Sequence, residues 1–80
     1  MRIDKFLKNS RIIKRRTVAK EACEQGRIFL NDKPAKPGSE VKVGDRIHVQ
    51  FGNGSLTVEA LALTESCRKE DAPGMYRVIE

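Results

Sequence analysis

The sequence contains no tryptophan, one tyrosine and three phenylalanines among its 80 residues. With Phe6 and Phe51 read as core, too few aromatics remain to build a stacking platform for single-stranded bases. Cysteine is equally sparse. Cys23 and Cys67 are too few for the disulfide framework of a small secreted domain and read as reduced thiols, Cys23 as packing in a helical apolar pattern. The lone histidine, His48, falls on the polar side of an alternating stretch and reads as a surface residue. Two cysteines and one histidine at these spacings do not make a zinc site, which needs about four ligands. No apolar run is long enough to span a membrane, and the charged stretch Met1 to Lys8 lacks the apolar core of a signal peptide, so a cytoplasmic protein is expected. There is no Ser/His/Asp arrangement, no glycine-rich phosphate loop and no paired carboxylates; Gly52-Asn53-Gly54 reads as hairpin chemistry. No catalytic residue, metal or cofactor is therefore expected.

What is abundant is positive charge at one end. Residues 1–20 carry eight basic side chains against a single acid, Asp4, whereas residues 21–80 carry eight bases and ten acids. An ordinary solvated surface intersperses its charges. A field concentrated in this way attracts polyanions, of which nucleic acid is the commonest. The candidate binding residues are Arg2, Lys5, Lys8, Arg11, Lys14, Arg15, Arg16, Thr17 and Lys20.

The periodicity changes once along the chain. Ile3, Phe6 and Leu7 form a helical stripe and predict a helix over residues 3–10, with Asp4 near its start favouring the helix dipole or an internal salt bridge. After a joint carrying Ile12 and Ile13, a second helix over roughly residues 15–25 buries Val18, Ala19, Ala22 and Cys23. Thr17 is a candidate N-cap or first-turn residue, and Gly26 is the expected left-handed terminator. Beyond Gly26 the pattern alternates. Ile28 and Leu30 make a strand, and Asn31-Asp32 is a turn pair that tolerates positive φ. Pro34, Pro37 and Gly38 predict an irregular return, and Gly44-Asp45 a second turn. Ile47, Val49 and Phe51 form a half-buried strand, Gly52 to Ser55 a hairpin loop, and Leu56, Val58 and Ala60 the returning arm. The expected fold is α+β, with two N-terminal helices packed on a small, mainly antiparallel sheet. The expected division is a domain over residues 1–63 and a polar C-terminal extension over 64–80, in which Met75 to Ile79 offers a short last strand.

Three spaced blocks carry a resemblance. Arg2-Ile3-Asp4-Lys5-Phe6-Leu7, then Lys14-Arg15-Arg16-Thr17-Val18-Ala19, then Gly26-Arg27-Ile28-Phe29-Leu30-Asn31 resemble the S-four RNA-binding domain, the αL motif. The later Val41-Lys42-Val43-Gly44-Asp45 looks like that family's Val-x-x-Gly-Asp turn. The match covers residues 2–51. Asp32 departs from it, standing where the family usually has glycine after the asparagine. Among members, the chain resembles the small free-standing proteins of bacterial ribosome-associated quality control, relatives of a heat-shock ribosome-binding protein.

The resemblance implies binding to a stalled large ribosomal subunit through rRNA and peptidyl-tRNA. It further implies assistance to the tail-synthesising factor RqcH in adding alanine to the stalled chain, as a monomer without membrane attachment. The alternatives are a heat-shock-type recycler of blocked large subunits with no tailing role, an RNA-modifying enzyme and a DNA-binding regulator. An enzyme needs a catalytic domain that 80 residues do not accommodate beside this module. A regulator needs base-reading residues, and the second helix has none evident beyond Gln25. The charge inventory suits structured RNA, which is recognised mainly through phosphates and shape.

Overall fold

The structure, a computed structural model, describes residues 1–63 and 70–79. Two helices, α1 (Ile3–Asn9) and α2 (Arg16–Glu24), precede β1 (Ile28–Leu30), β2 (Lys33–Pro34), β3 (Arg46–Phe51) and β4 (Gly54–Ala60). A short 3-10 turn (Ala72–Met75) leads into β5 (Tyr76–Val78). The strands form one sheet in the order β2-β1-β3-β4-β5, with every pairing antiparallel. The α+β architecture read from the sequence is the architecture observed.

Alternation along the strands separates two faces. Ile28, Ile47, Val49 and Val58 are buried and join Ile3, Phe6 and Leu7 of α1 and Ala19, Ala22 and Cys23 of α2 in one core. In the opposite phase, Phe29, His48 and Thr57 lie side by side across β1, β3 and β4. His48 is half-buried there; its Nδ1 and Thr57 Oγ1 are hydrogen-bonded at 2.8 Å, and its ring tilts against Phe29. Met75 is buried in the core, and β5 pairs with β4 through Val58↔Val78 and Ala60↔Tyr76. Of the polar stretch before it, residues 64–69, including Cys67, lie outside the described residues.

The helix ends have identifiable causes. Gly26 adopts φ +74°, and the pair Gly26 N–H to Cys23 O and Arg27 N–H to Ala22 O closes α2 as a Schellman motif. At the end of α1 the corresponding left-handed position is held by Arg11, at φ +63°. Its N–H donates to Lys8 O, and Ile13 N–H donates to Leu7 O.

The turns join the motif blocks. Asn31 and Asp32 take φ of 51° and 69°, the two positive values that a tight two-residue hairpin between β1 and β2 requires. Asn31 Oδ1 accepts from the Arg46 N–H at 2.9 Å, and Asn31 Nδ2 donates to Asp45 Oδ1 at 3.2 Å. Asp45 Oδ2 in turn accepts from the Lys42 N–H at 2.8 Å. The asparagine and the Gly44-Asp45 turn, far apart in sequence, therefore form one hydrogen-bonded junction.

Several details differ from the sequence reading. Val18 is 43% exposed because it lies on a flank of α2 that the sheet does not cover. Phe51, also 43% exposed, follows the inward phase of Ile47 and Val49 but stands at the end of β3, paired with Gly54. The β3–β4 loop is shorter than expected, with only Gly52 and Asn53 between that pair. The return after Asn31-Asp32 begins with a two-residue strand at the sheet edge, where Pro34 can sit without supplying an N–H to a further neighbour. Of the two places read for Thr17, the structure selects the first turn rather than the N-cap. Arg15 occupies that position with no side-chain cap, and Thr17 falls inside the first turn.

Candidate nucleic-acid interface

The N-terminal segment is fixed before its basic side chains are placed. Ile3, Phe6 and Leu7 are fully buried. Ile3 N–H donates to Ser39 O at 2.8 Å, Val41 N–H donates to Met1 O at 2.9 Å, and Arg2 forms an isolated antiparallel bridge with Glu40. These contacts clamp the start of α1 against the segment that leads to Val41.

Asp4 lies on the same helix, only 2% exposed. A buried carboxylate is costly unless it is paired and hydrogen-bonded. Asp4 Oδ1 accepts from the Lys5 N–H at 2.7 Å and lies 3.4 Å from Arg2 Nε. Asp4 Oδ2 lies 3.5 Å from Arg16 Nε and accepts from Arg2 Nη2 at 3.4 Å. The two arginine side chains remain 54% and 47% exposed. One buried acid thus tethers two solvent-facing guanidiniums, one from the start of α1 and one from the start of α2. The tether leaves other donors of each planar fork to engage an external anion.

The beginning of α2 adds to this positive site. Its first turn holds no acidic residue and no side-chain cap. The free backbone N–H groups and the positive end of the helix dipole therefore sit beside Arg15, Arg16 and Thr17.

A second grouping occupies the joint between the helices. Lys8, Asn9, Arg11 and Lys14 line a cavity of about 50 Å³. The left-handed turn at Arg11 brings these basic residues together after α1 ends. Lys20 is exposed one helical turn beyond Arg16, and Lys5 is half-buried on α1. The nine candidate residues therefore resolve into an Asp4-centred pair, Arg2 and Arg16; a cluster at the joint, Lys8, Arg11 and Lys14; Arg15, Thr17 and Lys20 exposed on or beside α2; and Lys5, half-buried on α1.

Cys23 is buried behind this surface, and burial, reinforced by the charges of Asp4 and Glu24, pushes its thiol up to about 11. It contributes packing, as expected for a protonated thiol in a core. Among the described residues no group of three or more His, Cys, Asp and Glu side chains is placed to hold a metal ion. No helix there is long and apolar enough to cross a membrane.

Residues 1–47, more than half of the chain, match the S4 domain. The chain belongs to the S4 domain family. The S4 blocks read from the sequence coincide with the clamp on α1, the Asp4 tether and the Asn31–Asp45 junction. Over 79 residues, covering 99% of this chain and 90% of the relative, the S4 protein is 53% identical to the RQC P-site tRNA stabilizing factor of Streptococcus pneumoniae R6. It is 55% identical over 78 residues to the protein of the same name from Halalkalibacterium halodurans, covering 98% and 89% of the two chains. The trimeric structure of Vibrio cholerae Heat Shock Protein 15 superposes with a TM-score of 0.91 at 29% identity, covering 98% of this chain and 80% of that one.

Sequence reasoning missed the division of labour within the S4 surface. Asp4 was readable as a partner for a base, but its simultaneous contact with Arg2 and Arg16 depends on how α1 and α2 cross. The left-handed backbone at Arg11 left no signal, since glycine or asparagine is the usual mark of that conformation.

Proposed function

We propose that this protein is a non-enzymatic, cytoplasmic RNA-binding factor of ribosome-associated quality control. It binds stalled large ribosomal subunits through the phosphates of rRNA and peptidyl-tRNA, and it assists RqcH in adding alanine to the stalled nascent chain. The binding module spans residues 1–63 and acts as a monomer. Its RNA surface comprises Arg2, Lys5, Lys8, Arg11, Lys14, Arg15, Arg16, Thr17 and Lys20.

The observation that carries this reading is the buried Asp4 carboxylate holding Arg2 and Arg16 with their forks still exposed. Such an arrangement presents charge in a fixed geometry, which suits a folded RNA backbone. The names of the relatives at 50% identity and above support a place at P-site tRNA. The route to tailing is geometric. A factor that holds rRNA and tRNA together keeps the acceptor end positioned for the next transfer, and restricting orientation alone has large effects on rate.

Deleting the gene should shorten or abolish alanine tails on stalled chains. The wild-type protein should restore them, and an Arg16→Ala protein of equal abundance should not. Full tailing in the deletion strain would remove the quality-control reading. The second reading, recycling of blocked large subunits without tailing, draws on the similarity to Heat Shock Protein 15. It predicts that the deletion strain accumulates blocked subunits after heat shock with its tails intact.

A further inference from the structure

Val18 and Phe51 are among the large apolar side chains left most exposed, and they lie together. With Ile12 and Ile13 from the joint between the helices they line a groove of about 170 Å³. Arg27 also lines it. The Nε of Arg27 is buried from solvent and has no hydrogen-bond partner among the described residues. Its backbone is fixed on both sides, since the N–H closes α2 onto Ala22 O and the carbonyl accepts from Gln50 N–H at 2.9 Å. Among the described residues, no carboxylate lines the groove.

This groove is separate from the Arg16 and Lys20 face. Val18 is two residues from each of them, about 200° around the helix. The Nε is closed to any ligand, but Arg27 as a whole is only half-buried at the groove, and its guanidinium makes no ion pair among the described residues, so its charge is an unmet demand there. The group that meets it must also cover the surrounding aliphatic and aromatic surface. A carboxylate flanked by aliphatic side chains does both. Nucleic acid fits less well, because apart from Arg27 and Gln50 the lining is apolar and offers its polar base edges no hydrogen-bonding side chain.

We propose that this groove docks an acidic, leucine-rich segment of a protein partner, its carboxylate on Arg27 and its aliphatic side chains against Val18 and Phe51. The proposal does not depend on the RNA reading; it needs only that the groove beside Val18 lies on the side of α2 opposed to Arg16 and Lys20.

The test is an NMR titration of isotope-labelled protein with an acetylated and amidated hexapeptide alternating leucine and glutamate. Saturable shifts should be confined to Ile12, Ile13, Val18, Phe51 and the Arg27 guanidinium. A peptide with glutamine in place of glutamate should bind at least about fivefold more weakly, as expected when a charge-assisted hydrogen bond becomes a neutral one. Arg27→Met should erase that preference. Val18→Asp, at an exposed position that should tolerate the change, should block the acidic peptide by placing a carboxylate beside Arg27. Both variants should retain a folded amide spectrum and normal binding to large subunits. The proposal is overturned by the absence of saturable shifts at millimolar peptide, by equal affinity for the two peptides, or by shifts centred on Arg16 and Lys20. Loss of subunit binding in Arg27→Met or Val18→Asp would reassign the groove to RNA. Self-association that depends on Phe51, without peptide binding, would reassign it to a second copy of the chain.

Discussion

Arg16 Nε lies 3.5 Å from Asp4 Oδ2, joining an exposed cation at the start of α2 to a buried anion in α1. Arg2 shares the same carboxylate. Asp4→Asn removes the anion and raises net charge, so attraction governed by charge alone would strengthen RNA binding. Tethering predicts the reverse. Affinity for large subunits should fall about tenfold, the equivalent of roughly one lost charge-assisted contact. Stability should fall by about 1 kcal/mol, a modest amount because both guanidiniums can turn to water. Parallel co-sedimentation and thermal melts would check this, and tighter binding by the variant would refute the tether.

The turn at Asn31-Asp32 supports a second prediction. Asp32 occupies φ +69°, a region that glycine enters without steric penalty. Asp32→Gly should stabilise the fold by about 0.5 kcal/mol, part of the relief being offset by the greater freedom of glycine in the unfolded chain. For a domain of this size that corresponds to roughly 2–4 °C in Tm. Asn31→Ala should do the opposite, because it releases both the Arg46 N–H and the contact to Asp45. A lower Tm for Asp32→Gly would show that the aspartate stabilises the turn by a contact of its own.

Arg11 separates strain from binding. It is a left-handed residue without the latitude of glycine, in a cluster with Lys8 and Lys14. Arg11→Gly should change stability by less than about 1 kcal/mol, since relief of the backbone and loss of unfolded-state restriction oppose each other. It should nonetheless weaken subunit binding. Equal binding by Arg11→Gly and wild type would take the joint out of the RNA surface.

The helices, their terminator at Gly26 and the inward phase of β3 were legible because each rests on local chemistry. These are the stripe Ile3, Phe6 and Leu7, a glycine at a left-handed C-terminus, and the alternation of Ile47 and Val49. The basic end was legible as composition. What sequence did not disclose depends on layer boundaries. Val18 and Phe51 have the residue type and phase of core positions, yet one sits on the uncovered flank of α2 and the other at the end of β3. The junction of Asn31 with Asp45 and the convergence of Arg2 and Arg16 on Asp4 are non-local, so periodicity carries no mark of them.

Cys23 makes the fold sensitive to alkali. A thiol is neutral when protonated, and its pKa of about 11 in the fold lies above the ordinary value of 9.0, chiefly because burial disfavours the thiolate. Between these values the folded state holds more protons than the unfolded state. Stability is therefore fully present below about pH 9 and declines as pH rises toward 11. In paired denaturant melts, Cys23→Ala should show a shallower alkaline decline than wild type, although it is less stable at neutral pH because a buried side chain has been shortened. Identical pH slopes would exclude this role.

The last prediction concerns where RNA lies on the molecule. Arg16→Ala and Arg2→Ala each remove an exposed fork from the Asp4 pair. Each should weaken large-subunit binding by about 1.5–3 kcal/mol if its fork contacts phosphate directly. Arg46 is exposed at the start of β3, in the strand phase shared by His48, away from the buried Ile47 and Val49. Arg46→Ala removes the same charge from the outer face of the sheet and should have little effect. Salt supplies an independent measure. Four to six phosphate contacts predict that log affinity falls against log salt with a slope of roughly −3 to −5, each lost contact making it shallower by just under one. The slope for Arg16→Ala should therefore flatten, while that for Arg46→Ala should match wild type. The reverse pattern would move the RNA surface from the helices to the sheet, and a nearly flat slope for wild type would mean that protein contacts govern association with the subunit.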